Sequence, residues 1–87
     1  MYYLYILIEI KSKNTYIGYT NNLRRRIKEH NSGYNFSTKA RNYRLVYYEA
    51  YLSKKDAQER ERKLKQRGSS KQLLIKRIEG SIEEICT

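Results

Sequence analysis

Tyr16-Ile17-Gly18-Tyr19-Thr20-Asn21-Asn22-Leu23-Arg24-Arg25-Arg26-Ile27-Lys28-Glu29-His30 reads as the end of a strand running straight into a helix. Thr15 to Tyr19 is the strand. Thr20 or Asn21 can cap the helix, which turns Leu23 and Ile27 inward and ends near Ser32-Gly33, where glycine permits a left-handed turn. Upstream, Tyr2 to Ile8 is aromatic or branched throughout, the pattern of a strand buried on both faces. The polar turn Ile10 to Asn14 joins the two strands as an antiparallel hairpin, with Tyr3, Tyr5 and Leu7 on one face and Leu4, Ile6 and Ile8 on the other.

Downstream of a polar, basic connection from Tyr34 to Asn42, a third strand is expected over Tyr43 to Leu52. Ser53 opens a helix with Asp56 three residues on, at capping-box spacing, and Gly68 should stop it. Ser69 or Ser70 then caps a last helix that points Leu73, Leu74 and Ile78 inward and ends near Gly80. The expected fold is α+β, a small three-stranded antiparallel sheet flanked by helices. One domain covers residues 1–80, and residues 81–87 form a frayed turn or tail.

Eighty-seven residues leave room for one compact core. Nineteen Lys and Arg against nine Asp and Glu give a net charge of +10, which favours polyanions and makes nucleic acid the leading partner class. An anionic membrane is disfavoured because the basic residues form no lipid-facing amphipath. The run from Tyr2 to Ile8 is too short to span a bilayer and lacks the flanks of a secretory signal. A single cysteine, Cys86, can form neither an internal disulfide nor a metal cluster, so a cytoplasmic protein is expected.

Among the charged residues, Glu61 stands apart. On a helix from Ser53 it shares a stripe with Ala57 and Leu64, whereas Glu59 faces water. Burying an unpaired charge costs several kcal/mol, so this carboxylate requires a cation, either an arginine or a metal. Magnesium suits a site with one protein carboxylate, and zinc lacks ligands here. Arg26, three residues from Leu23 and four from His30, forms a polar edge with His30 beside the buried stripe. Most of the ten tyrosines must be packing residues. Lys39, Arg41 and Arg44, near Tyr34 and Phe36, combine cations with rings able to stack on bases. Glu49 is the rival carboxylate, on a strand face with Leu45, Tyr47 and Tyr51, and a candidate partner for Arg26 or a lysine.

Tyr3-Leu4-Tyr5, the intact Tyr16-Ile17-Gly18, Arg26, Leu45-Val46-Tyr47-Tyr48-Glu49 and Ala57-Gln58-Glu59-Arg60-Glu61 together resemble the GIY-YIG nuclease superfamily, in particular its short stand-alone members. The likeness runs from Tyr2 to about Leu64, with Tyr3 where the family has glycine. It implies a GIY-YIG nuclease fold and a magnesium-dependent endonuclease that hydrolyses phosphodiester bonds in DNA, with manganese as a substitute ion. The resemblance makes Glu61 the ligand of a single metal, Tyr16 the general base and Arg26 the clamp on the scissile phosphate. Tyr5 would orient the water or bond to the phosphate, and His30 would serve as a phosphate ligand or second proton carrier. Tyr19, Arg24, Arg25, Lys39 and Arg41 would contact nucleic acid. Catalytic modules of bacterial excision-repair nucleases carry an asparagine in a proline-containing segment after the Glu helix. This chain has no proline and no asparagine beyond Asn42, so the likeness does not extend to that repair system. The alternatives are a catalytically silent nucleic-acid-binding module on the same fold, and a small basic RNA-associated protein.

Overall fold

A computed structural model describes residues 1–32, 42–66 and 68–86. Gly33, Tyr34, Phe36, Lys39 and Arg41, each given a part above, lie outside the described residues. Strand β1 (Tyr2–Glu9) is the centre of a three-stranded antiparallel sheet, flanked by β2 (Thr15–Thr20) and β3 (Tyr43–Tyr51). Its sequence dictates that place: Leu4, Ile6 and Ile8 on one face and Tyr5 and Leu7 on the other are all buried. A strand apolar on both faces needs cover on both. Against the Leu4 and Ile6 face pack Ile17, Leu64, Leu74 and Ile78, with Val46, Tyr47, Tyr51, Ile75 and Ile82 around them. Full burial of each Leu or Ile contributes about 1.5–3 kcal/mol relative to exposure.

The hairpin turn is held by Glu9. Its backbone exchanges bonds with Asn14 and Lys13, and its buried carboxylate accepts from the Ser12 amide at 2.8 Å. Lys13 takes the left-handed conformation that closes the turn, at φ 62°.

Helix α1 (Leu23–Ser32) follows β2 after two residues. Its cap is Asn22 rather than Thr20 or Asn21: Asn22 Oδ1 accepts from the Arg25 amide at 3.1 Å, two residues into the first turn beyond Leu23. Thr20 instead holds the cap, accepting from the Asn22 amide at 3.1 Å. At the other end Asn31 pairs with both backbone groups of Tyr43, at 2.7 and 3.1 Å, and so fixes α1 to the start of β3.

A β-bulge changes the expected faces of β3. Ile6 pairs with Tyr47 but Leu7 with Leu45, so Val46 is the extra residue. Tyr47, Glu49 and Tyr51 consequently face the Leu4 side, and Leu45 faces the Leu7 side rather than sharing a face with Glu49. Helix α2 (Lys54–Lys65) starts at the expected Ser53 cap, whose Oγ accepts from the Asp56 amide, and buries Ala57 and Leu64 completely. Arg60 of α2 grips Glu49 with a fork, Nε to Oε1 at 2.9 Å and Nη2 to Oε2 at 3.1 Å, while the Tyr47 and Tyr51 hydroxyls donate to the same carboxylate. Burial drives the Glu49 carboxyl up, but these four donors outweigh it and leave it below its usual range; burial and Glu49 push Tyr51 up to about 12. Glu49 is thus an anchor of α2 on β3, not a partner of Arg26.

Helix α2 ends at Lys65, two residues short of the expected stop beside Gly68, because Gln66 turns extended. Gly68, at φ 147°, makes the turn into α3 (Ser70–Arg77). Leu74 and Ile78 face the core as expected, but Leu73 is 65% exposed. The segment expected as a tail is mostly helical: α4 (Glu79–Cys86) continues from α3, with the Ile82 amide bonded to the Ile78 carbonyl and Ile82 against the core. Among the described residues no helix is long and apolar enough to cross a membrane.

Candidate active site

Strand pairing places Tyr5 opposite Gly18, and Tyr16 opposite Leu7, so Tyr5 and Tyr16 project from the same sheet face. Gly18 is required at its position. A Cβ there would lie 2.4 Å from the Tyr5 hydroxyl oxygen, 2.6 Å from its Cζ and 3.0 Å from Tyr16 Cε1, so any side chain displaces the phenol. The two rings stack across this gap, 6.3 Å apart and 25° from parallel.

Helix α1 lays two side chains onto them. Arg26 donates from Nε to the Tyr5 hydroxyl at 3.3 Å and from Nη1 to Glu29 at 3.0 Å. His30 Nε2 lies 3.2 Å from the same Tyr5 hydroxyl, and its ring meets Tyr16 edge-on at 4.5 Å and Tyr43 at 5.6 Å. The two residues are four apart on α1, so one helix face delivers both. The hydrogen bond to Tyr5, and the pair with Glu29, hold the Arg26 guanidinium charged against its partial burial. Burial keeps Tyr5 protonated, its pKa raised despite Arg26, with smaller upward pushes from Tyr16 and Glu61. Tyr5 therefore enters the site as a neutral hydroxyl that accepts from Arg26.

His30 is buried, at 3% exposure, where an isolated histidine near a helix end would ordinarily be on the surface. Burial, then the Arg26 charge, push its pKa below the ordinary value, against Glu29. As the pH falls the unfolded chain takes up this proton first, so the stability from neutral His30 is fully present above about pH 6.5 and lost as the pH falls through the lower folded pKa. Thermal unfolding should show the midpoint dropping from pH 7 towards 5, and His30→Gln should flatten that slope. An equal slope in both proteins would contradict the buried neutral imidazole. Glu49, with its lowered pKa, loses its contribution only at more acidic pH, below about 4.5.

Glu61 lies at the rim of the apolar stripe of α2 rather than in its middle, with a side chain 24% exposed. Lys65, one turn on, donates to its Oε2 at 3.0 Å and also stands 5.8 Å over the Tyr16 ring. Lys65 and Tyr16 line a hollow of about 270 Å³ together with Thr15, Ile17, Leu64, Gln66 and Lys71. Among the described residues no three His, Cys, Asp or Glu side chains cluster as a metal cage would require. One part-exposed carboxylate on α2 does fit magnesium, which keeps most of its waters and takes substrate phosphates as ligands. Glu59 points away, ion-paired to Arg62.

Tyr5, Tyr16, Arg26 and His30 are thus brought together, with Glu61 near enough for its charge to act on Tyr5. Tyr19 is not: it pairs with Leu4 and faces the opposite side of the sheet from Tyr16. Arg24 and Arg25 are exposed on α1, the latter with Glu29 at 4.0 Å. Lys39 and Arg41 fall outside the described residues. Sequence reasoning missed three participants. Glu29 and Lys65 could have been found at helical spacing from Arg26 and Glu61, but Tyr43 reaches His30 only through the strand order.

The GIY-YIG catalytic domain family matches residues 1–73, which take in the whole sheet, α1, α2 and the start of α3. A UPF0213 protein of Clostridium perfringens is 46% identical over 63 residues, covering 70% of this chain and 67% of that protein. One from Staphylococcus haemolyticus is 38% identical over 80 residues, covering 90% and 94%. The solution structure of a UPF0213 protein from Bacillus halodurans superposes with a TM-score of 0.56 at 37% identity, covering 100% of this chain and 95% of that one.

Proposed function

Because the chain belongs to the GIY-YIG catalytic domain family, we propose that it is a magnesium-dependent endonuclease hydrolysing phosphodiester bonds in DNA. The observation that carries this reading is the convergence of Arg26 and His30 on the Tyr5 hydroxyl, beside Tyr16 and over Gly18. Packing alone does not call for three polar side chains and a glycine at one point of a sheet.

In this reading the phosphodiester lies over Tyr16 with Arg26 against its non-bridging oxygens, where negative charge grows as water attacks phosphorus. Tyr16 is the general base that takes one proton from that water. The bond to the leaving oxygen breaks, and solvent supplies the proton that this oxygen needs. Tyr5 holds the guanidinium in position and His30, neutral, fixes the Tyr5 hydroxyl. A divalent ion on Glu61 would supply Lewis-acid polarisation of the phosphodiester. Manganese would substitute, having the same preference for oxygen ligands. With one cysteine and no paired thiol, the chain suits a reducing compartment, and we place the activity in the cytoplasm.

At least one DNA in a panel of duplex, flapped, branched and single-stranded forms should be cut when incubated with Mg²⁺, and an equimolar chelator should stop cleavage. DNA that is bound throughout the panel but never cut would instead make this a nucleic-acid-binding module.

A further inference from the structure

Tyr48 is 53% exposed. A single exposed aromatic needs no explanation. What singles this one out is its position: it pairs directly opposite Tyr5 on β3 and so shares the face of the candidate site. Tyr3 lies on that same face, two residues along β1, and meets the Tyr48 ring edge-on at 5.9 Å and 67°. On the other side of β1, Tyr3 pairs with Thr20, the residue that holds the α1 cap. Directly beyond that cap, Asn22, Arg24, Arg25 and Lys28 surround a hollow of about 250 Å³. Rings and cations therefore occupy the same end of the sheet, beside Tyr5, on a chain of net charge +10.

We propose that Tyr48 and Tyr3 form a stacking platform for an unpaired base next to the cleaved phosphodiester, with Arg24, Arg25 and Lys28 taking the neighbouring phosphates. The substrate is then DNA with at least one unpaired nucleotide at the site, as in a single strand or flap. Duplex interiors bury both faces of every base, whereas each base of a single strand offers a π-face to an aromatic ring. Phosphate contacts position the strand, and the rings select for its being unpaired. The proposal rests on the nuclease reading only for where the scissile bond lies.

Binding is measured on the full chain with chelator present, so that nothing is cut, using a single-stranded oligonucleotide that carries 2-aminopurine and a blunt duplex of the same sequence. Wild type should quench the 2-aminopurine on binding. Tyr48→Thr keeps a strand-forming residue but removes the ring, and should weaken single-strand binding about 5- to 150-fold while changing duplex binding less than about twofold. Tyr48→Phe and Tyr48→Trp keep a ring and should bind the single strand within about threefold of wild type. Unchanged single-strand binding by Tyr48→Thr, equal losses on both DNAs, or a large loss in Tyr48→Trp would each overturn the platform. If the Tyr48 effect holds while Mg²⁺ elicits no cleavage of any DNA, the platform stands and the nuclease reading fails.

Discussion

Glu61→Gln should abolish cleavage, by on the order of 10³-fold or more, while DNA binding and the fold persist. Glutamine keeps the size of the side chain but removes the only charge with which α2 could hold a divalent ion beside Tyr16, and such an ion is worth several kcal/mol of charge stabilisation. Glu59→Gln is the matched control. Both residues lie on α2 and each forms one ion pair along the helix, Glu61 with Lys65 and Glu59 with Arg62. Losing the Glu61 pair costs a few tenths of a kcal/mol in stability. The Glu59 variant should therefore cut within about threefold of wild type. Rates for both across a Mg²⁺ titration, with thermal unfolding alongside, separate the two roles. Normal cleavage by Glu61→Gln would remove the metal site from α2; unfolding of that variant alone would make Glu61 a structural residue.

Arg26→Ala should lower the rate on the order of 10²- to 10³-fold with little loss of DNA binding, the usual cost of removing one donor aimed at developing charge. The guanidinium also holds Tyr5, and alanine removes that bond along with the charge. Arg26→Lys should rescue little, because an ammonium cannot reproduce a fork that serves Tyr5 and Glu29 together. Arg24→Ala, on the exposed side of the same helix, should show its loss in DNA binding and change the rate at saturating DNA by less than about threefold. Equal losses at the two positions would reduce the arginine run to a phosphate-binding patch.

Much of this arrangement is written locally. The unbroken apolar run of β1 makes it a central strand, and Ser53 with Asp56 marks the start of α2 to the residue. The period of two already separates Tyr19 from Tyr16, so the loss of Tyr19 from the site was legible. Other features depend on partners far away in the chain. His30 is buried because Tyr5, Tyr16 and Tyr43 converge on it from three strands, and no spacing on α1 announces that. The bulge at Val46 turns Leu45 from the face of Glu49, and it is set by pairing with β1 rather than by any glycine or proline. Gly80-Ser81 has the look of a helix stop, yet Ile78, Ile82 and Ile85 keep helical spacing across it, and partial burial of Ile82 against the core outweighs the local cost of the glycine.

If Tyr16 carries the proton from the attacking water, single-turnover cleavage by Tyr16→Phe must be slow. Phenylalanine keeps the ring contacts with Tyr5 and His30 and removes only the hydroxyl. With flapped DNA and saturating Mg²⁺, the variant should bind as wild type does and cut at least about 10²-fold more slowly. Cleavage at the wild-type rate, with binding intact, would remove Tyr16 from the proton transfer.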